Sequence, residues 1–290
     1  MAPNAKRINR LAETRWVAGN GPERDVIVMT ADQTLTVRPS RQLGGFLTAG
    51  ACVLALVALI AFALAPAGWR FGLWYYTVAF AIMRYAAYVA LLAAALSIVT
   101  LAGWSRLSPW RRFAALAALA VAIVVVYVPW HYAQLAAATP PIHDITTDTV
   151  NPPPFWAVLP SRAEENANAV EYGEPAIAKL QHAYYPQIVP VTTALPPRAA
   201  FAVALATAQS MPGWIDVIAE PEAWRIEASQ ESFWMRFTDD VSIRISPGGK
   251  GSRIDVRSLS RQGRGDFGVN AARVLAYLDA LKVRLASAPH

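Results

Sequence analysis

Hydrophobic residues form long uninterrupted runs in the first half of this chain and alternate with polar ones near its C-terminus. Residues 45–65 are a run of 21 residues without a charge, and residues 113–128 are a second apolar run. About 20 apolar residues in a helix cross the hydrocarbon core of a bilayer. The stretch 69–104 between the runs is almost entirely apolar, yet it is too long for one crossing. We therefore predict a membrane domain over residues 45–130, with spans at about 45–65, 85–103 and 113–128.

The segment that precedes the predicted second span is rich in tryptophan and tyrosine. Residues 69–83 include Trp69, Trp74 and the adjacent Tyr75 and Tyr76. Because these rings are apolar at one end and polar at the other, they favour the headgroup level of a membrane. We predict an interfacial segment here, followed by Arg84, whose long side chain can extend to the same level.

The distribution of charge predicts the orientation of the chain. Residues 1–138 hold 12 Lys and Arg against 4 Asp and Glu, whereas residues 139–290 hold 14 against 16. Basic residues concentrate in the N-terminal tail and in the second short loop, which the positive-inside rule places in the cytoplasm. We predict a bacterial inner-membrane protein with a cytoplasmic tail, residues 1–44, and a periplasmic C-terminal domain.

Two other interpretations of these features carry less weight. A nucleic-acid-binding protein would concentrate its basic residues on the soluble domain, and this chain does not, so we expect no nucleic-acid partner. A cleaved signal peptide would end near residue 65, but its leader and its apolar run are both longer than such peptides usually are. An anchored protein is the better interpretation.

The C-terminal half consists of a proline-rich stretch and a patterned domain. Pro140, Pro141 and the prolines at 152–154 lack N–H donors and favour extended backbone. We predict a tether with irregular structure over residues 131–197. The patterns beyond it indicate a helix, a run of antiparallel strands and a final helix. Residues 198–290 thus form an α+β, helix-grip-like domain in which two helices cover the apolar face of one sheet.

Composition limits the possible chemistry. Hydrophobic residues make up 55% of the chain and charged ones 16%, which fits a membrane protein. There is one cysteine, and the four histidines lie far apart. These facts exclude a disulfide framework and the common zinc motifs. No stretch matches a phosphate-binding loop or a dinucleotide fingerprint, so we expect neither a metal nor a cofactor.

Two groups of motifs resemble a known bacterial family. The first is PIHDITTD at 141–148 followed by NPP at 151–153. The second comprises DDVSIR at 239–244, GSRIDVRSLSRQGR at 251–264 and DFGVN at 266–270. Together they resemble DUF1499, a family of unknown function, over about residues 139–286. The resemblance implies a membrane-anchored architecture and no particular activity.

Asp239 is the first candidate site residue. Its position in the alternation places a carboxylate on the apolar face between Phe237 and Val241. Because an unpaired buried charge is costly, either a β-bulge at Asp239 and Asp240 turns both carboxylates to solvent or to an arginine, or Asp239 faces a ligand groove.

The glycine-punctuated loop before the last helix supplies further candidates. Arg257, Arg261 and Arg264 could hold an anion near the N-terminus of that helix. Alternatively, they pair internally with Asp239, Asp240 and Asp255, while Asp266 caps the helix.

His143 and Asp144 form the third candidate, either as a catalytic pair or as a latch that holds the tether. Adjacent residues of an extended chain point in opposite directions, which favours the latch.

These features favour a membrane-anchored periplasmic module that binds an envelope component without catalysis, in a groove between sheet and helices. The component would be a lipid, another anionic ligand or an inner-membrane protein. An acid–base hydrolase that uses Asp239 or His143, and a scaffold subunit of a membrane complex, are the alternatives.

Overall fold

A computed structural model describes residues 41–173 and 175–288 of the chain. The predicted cytoplasmic tail, apart from its last four residues, lies outside the described residues.

Three long helices form the N-terminal part, as the apolar runs predict. They are α1 (Arg41–Arg70), α2 (Tyr76–Ala102) and α3 (Pro109–Ala138), and each is long and apolar enough to cross a membrane. The second helix begins at Tyr76, so most of the predicted interfacial segment is helical. Helices α1 and α3 also continue through Pro66 and Pro129, beyond the predicted span ends at residues 65 and 128. Proline removes one backbone hydrogen bond, a loss that helices of this kind tolerate.

Alanine dominates the interfaces between these helices. Buried alanines from all three contribute to one cluster, which has Ala55, Ala90 and Ala122 among its members. Small side chains let helix backbones approach closely, which favours van der Waals packing inside a bilayer. The larger side chains, such as Leu56 and Leu92, remain on the outer surface of the bundle.

The C-terminal part is built on an antiparallel sheet of six strands. The strands are β1 (Asp144–Thr146), β2 (Val191–Thr193), β3 (Trp214–Glu220), β4 (Arg225–Glu231), β5 (Thr238–Gly248) and β6 (Gly251–Ser260). Their order across the sheet is β1-β6-β5-β4-β3. Strand β2 also pairs with β6, at residues 252–254, whereas β1 pairs with residues 257–259 of the same strand. Helices α6 (Pro197–Ser210) and α7 (Val269–Ala286) complete the predicted pattern. The predicted α+β class is confirmed.

The hydrophobic core lies between the sheet and these two helices. Ile226, Ile243 and Ile254 point from neighbouring strands toward Leu278 of α7 and Phe201 of α6. The core fills the space in which the sequence analysis placed a ligand groove.

The proline-rich stretch is integrated into the domain and is not a free tether. It contributes β1, β2 and two helices, α4 (Leu159–Glu164) and α5 (Pro175–Tyr184). Strand β1 pairs with β6, and Gln181 of α5 exchanges hydrogen bonds with the backbone of Thr146. Prolines interrupt regular structure locally, but they do not prevent pairing with distant strands. Such pairing leaves no periodic signal in the sequence.

Residues 232–237 leave the sheet, although Phe233, Met235 and Phe237 continue the alternation of β5 in the sequence. Arg236 adopts a left-handed backbone conformation with φ of 53°, which ends the extended chain. As a result Phe233, Met235 and Phe237 lie in a loop between β4 and β5, outside the core of the domain.

Candidate functional site

A largely buried network of charged side chains covers the face of the sheet opposite the hydrophobic core. The strands place every second side chain on this face, and the segment from residue 144 to residue 172 lies over it. We call this set the back-face network: Asp144, Asp148, Arg162, Glu165, Glu227, Asp240, Arg244, Arg253, Asp255, Arg257 and Arg261.

Asp240 is a carboxylate of the back-face network that accepts four hydrogen bonds. It is fully buried, and its Oδ2 accepts hydrogen bonds from Nη1 of Arg162 at 2.6 Å and Nε of Arg261 at 2.9 Å. Its Oδ1 accepts from Nη2 of Arg261 at 2.8 Å and from the Ser229 hydroxyl at 2.7 Å. Arg261 also donates to Glu165 at 2.5 Å. Burial lowers the pKa of Arg261, but the bonds to Asp240 and the charge of Glu165 outweigh burial and raise it above its usual value.

Arg257 and Asp144, two candidates from separate motifs, bind each other. Nε and Nη2 of Arg257 donate to the two carboxylate oxygens of Asp144 at 2.9 and 2.7 Å. Nη2 also donates to the carbonyl of Val170 at 2.6 Å, and the guanidinium lies 5.1 Å from the ring centre of Phe155. Both side chains are buried. This fork-on-fork geometry holds β1 and the segment after it on the sheet.

A second group of ion pairs lies farther along the same face. Asp255 is buried and binds Arg244 and Arg253, which also bind Asp148 at 3.1 and 3.0 Å. Burial alone would raise the pKa of Asp148. The N–H groups of Asn151 and Val150, together with the two arginines, outweigh it and hold that pKa below its usual value.

Glu227 is a fully buried carboxylate whose hydrogen-bond partners are backbone N–H groups, whereas the other carboxylates of the network bind arginines. Its oxygens accept from the N–H groups of Trp156 at 2.6 Å, Ala157 at 2.9 Å and Val158 at 3.0 Å. Burial raises its pKa to about 7, although the three N–H groups oppose that rise. A charged residue that alternates with Ile226 and Ala228 is typical of a solvent-facing position, but the segment before α4 covers Glu227.

Asp239 lies on the helix side of the sheet, as its position in the alternation predicts. The register is continuous, with Asp239 opposite Ser260 and Asp240 opposite Leu259, so the expected bulge is absent. Its carboxylate meets Nη2 of Arg273 from α7 at 2.7 Å. The need for a partner was therefore predicted correctly, but the sequence analysis did not find the arginine that meets it.

Arg273 belongs to a second polar cluster under the first turn of α7. Its Nη1 donates to the Ser258 hydroxyl at 3.0 Å and bonds to Oδ1 of Asn270, and its Nε donates to Gln230 at 2.6 Å. Nδ2 of Asn270 donates to the carbonyl of His143 at 3.0 Å. Arg273 and Asn270 share one helix face with core residues, which is the signal that could have identified them.

The remaining candidates lie near the start of α7. Nδ1 of His143 is 3.2 Å from the carbonyl oxygen of Arg264, so the ring is not hydrogen-bonded to Asp239 or Asp144. Asp266 accepts from the N–H groups of Gly268 at 2.9 Å and Asn270 at 2.7 Å, as a helix cap would. The Arg264 side chain is exposed.

The arrangement accounts for the predicted site residues in different ways. Asp144, Asp239, Arg257 and Arg261 are buried and paired internally. Of the pairings that the sequence analysis named, Arg261 with Asp240 is present, whereas Arg257 binds Asp144 and Asp239 binds Arg273. Among residues 41–173 and 175–288, no group of three His, Cys, Asp or Glu is arranged to hold a metal ion.

One family model matches this part of the chain. It is described as a protein of unknown function (DUF1499), and it matches residues 144–281. These residues form a DUF1499 domain. The match contains both polar clusters and begins at Asp144, which agrees with the inclusion of β1 in the fold. Comparisons with the curated proteins and with the solved structures find no match.

The DUF1499 domain contacts the long helices through two loops, residues 232–237 and 261–268, which we call its helix-facing end. In the first loop, the carbonyl of Met235 accepts from Nε1 of Trp69 in α1 at 2.8 Å. Trp234 lies 5.1 Å from Phe62 of α1, measured between ring centres, and Phe237 lies 6.0 Å from Phe80 of α2. This loop therefore fills the groove between α1 and α2.

The second loop of the helix-facing end adds two more contacts. The hydroxyl of Tyr75, just before α2, is 3.0 Å from Oε1 of Gln262. The ring of Phe267 lies 5.6 Å from that of Tyr132 in α3. Because all three long helices are contacted, the DUF1499 domain is fixed against the bundle and does not hang from it on a linker.

Proposed function

We propose that the protein is a bacterial inner-membrane protein whose DUF1499 domain faces the periplasm and binds an anionic envelope lipid without catalysis. Three apolar helices and the excess of basic residues in the tail and the second loop support this placement. The carboxylates of the back-face network are engaged by arginines or backbone N–H groups, which supports a structural role for that network.

The observation that carries the lipid assignment is a set of exposed arginines around the helix-facing end. Arg264 lies in the second loop, Arg70 is in the last turn of α1, and Arg84 is in α2. Within the described part of the chain, none of the three has an acidic partner, in contrast to the paired arginines of the back-face network. Arg84 lies beside Tyr85, with its guanidinium 5.6 Å from the ring centre.

The position of these arginines fits a phospholipid headgroup. Trp69, Tyr75 and Tyr76 lie at the same ends of α1 and α2, and such rings favour the headgroup level. Arg84 lies farther along α2, about 12 Å from its start at 1.5 Å per residue, and its side chain can extend toward that level. A basic residue near an anionic lipid surface contributes about 1 kcal/mol to binding.

Lipid titration of the full chain in detergent, followed by native mass spectrometry, tests this proposal. The variant R70Q/R84Q/R264Q should bind phosphatidylglycerol about a hundredfold more weakly than the wild type, since three residues at about 1 kcal/mol each are removed, and bind phosphatidylethanolamine unchanged. The matched control R198Q/K250Q/R284Q removes the same charge from exposed positions on α6, α7 and the β5–β6 turn. Equal phosphatidylglycerol affinity in the two variants would refute the assignment.

A further inference from the structure

We propose that residues 232–237 insert into the hydrocarbon edge of the membrane leaflet that faces the DUF1499 domain, with Phe233 in contact with lipid. Phe233 is 96% exposed, although it lies beside Trp234, which is packed against α1. This inference goes beyond headgroup binding and depends on other residues, so either can fail without the other.

The depth of the loop follows from its contacts on the helices. Trp234 packs on Phe62, which lies inside the uncharged run 45–65 of α1. Phe62 lies about 12 Å before the end of α1 at 1.5 Å per residue. That run has the length of the hydrocarbon core, about 30 Å. A loop that packs on Phe62 therefore reaches the apolar layer, where an exposed phenylalanine meets acyl chains.

Hydrogen bonds close the loop at its base and hold it against α1. The N–H of Ser232 donates to the carbonyl of Phe237 at 2.8 Å, and the N–H of Arg236 donates to the carbonyl of Ser232 at 2.9 Å. The N–H of Phe237 donates to the Ser232 hydroxyl at 2.9 Å, and Trp69 satisfies the carbonyl of Met235.

The charges of the loop are confined to its base. Arg236 binds Glu231, the last residue of β4, at 2.7 Å, and both side chains are partly exposed. The apolar residues form the tip and the charged pair the neck, which is the arrangement expected of an interfacial anchor. The loop thus supplies a point of membrane contact that the three helices alone do not.

Depth-dependent fluorescence quenching of the full chain tests this inference. A Cys52→Ala background removes the one native cysteine, and Phe233→Cys then carries an environment-sensitive fluorophore. Val150→Cys is the matched control, since Val150 is also apolar and is 93% exposed. Asp148 binds Arg253 near the β5–β6 turn, which places Val150 toward the far end of the sheet.

Both proteins are reconstituted in phosphatidylcholine–phosphatidylglycerol vesicles that contain lipids with a doxyl group near the headgroup end of the acyl chain. We expect quenching at position 233 by about twofold or more, as for a group 5–10 Å into the boundary layer, and none at position 150. Aqueous iodide should show the opposite preference. Equal behaviour of the two probes, whether both quenched or both in water, would overturn the inference. If a protein partner covers Phe233 instead of lipid, the probe at position 233 should face water in these vesicles, which contain no partner, and that result would also overturn the inference.

Discussion

Asp240→Asn is the most informative perturbation of the back-face network. The carboxylate receives four hydrogen bonds, from Arg162, twice from Arg261 and from Ser229, and it is fully buried. Asparagine removes the charge and turns one acceptor oxygen into an N–H₂ donor that faces a guanidinium. Two buried cations then lose their common counter-ion.

The expected loss can be derived from these contacts. Breaking a buried ion pair by removing one partner costs about 3–5 kcal/mol. The lower end applies here, because Arg261 keeps Glu165 and Arg162 keeps the carbonyl of Asn168. For a domain of this size, about 3 kcal/mol lowers the melting temperature by about 6–12 °C.

Thermal unfolding of the full chain in detergent, followed by near-UV circular dichroism, measures this loss. Asp279→Asn is the control, because Asp279 is 74% exposed and its Oδ1 lies 3.5 Å from Nζ of Lys282. Such a surface pair contributes about 0.5 kcal/mol or less. If Asp240→Asn melted within about 2 °C of Asp279→Asn, the back-face network would not stabilise the domain as we argue.

Three other predictions address the sheet edge, the buried glutamate and the helix contact. Gly251→Ala would place a Cβ 2.1 Å from the carbonyl oxygen of Thr193. We therefore expect the free energy of unfolding to fall by about 1–3 kcal/mol and amide exchange in β2 to become faster. Unchanged exchange would contradict the close approach. Because the folded-state pKa of Glu227 is raised from 4.5 to about 7, the folded state holds a proton that the unfolded state releases. Stability should therefore fall as pH rises from about 4.5 to 7, by up to about 3 kcal/mol relative to Glu227→Gln, and a pH-independent difference in melting temperature would argue against it. Trp69→Phe removes the donor to the Met235 carbonyl, so amide exchange in residues 232–237 should accelerate about tenfold, whereas an unaltered rate would show that this bond does not hold the loop.

The sequence predicted the elements that carry a clear pattern of apolar residues of their own. The alternation in β4, β5 and β6 identified the core positions, such as Ile226, Ile243 and Ile254, correctly. The period of α7 was equally clear, and the three apolar runs marked the long helices. In each of these cases one face of an element is uniformly apolar, so the pattern depends on the element alone.

The covered back face could not be predicted in this way. Charged residues at alternate positions, such as Glu227, are typical of a solvent-facing surface, yet here they are buried under a segment that is distant in sequence. Asp144 and Arg257 are separated by 113 positions, and no periodicity links them. The same limit applies to residues 232–237, where Met235 and Phe237 continue the alternation of β5 but pack on α1 and α2.

The account depends most directly on the side of the membrane at which the DUF1499 domain lies. Val150→Cys in the Cys52→Ala background places one exposed thiol on that domain, and Asn20→Cys places one in the N-terminal tail. A membrane-impermeant maleimide is added to bacterial spheroplasts before and after lysis. We predict that position 150 is labelled in intact spheroplasts and position 20 only after lysis. Labelling of position 150 only after lysis would contradict the proposed orientation, and with it the assignment of a periplasmic lipid-binding role.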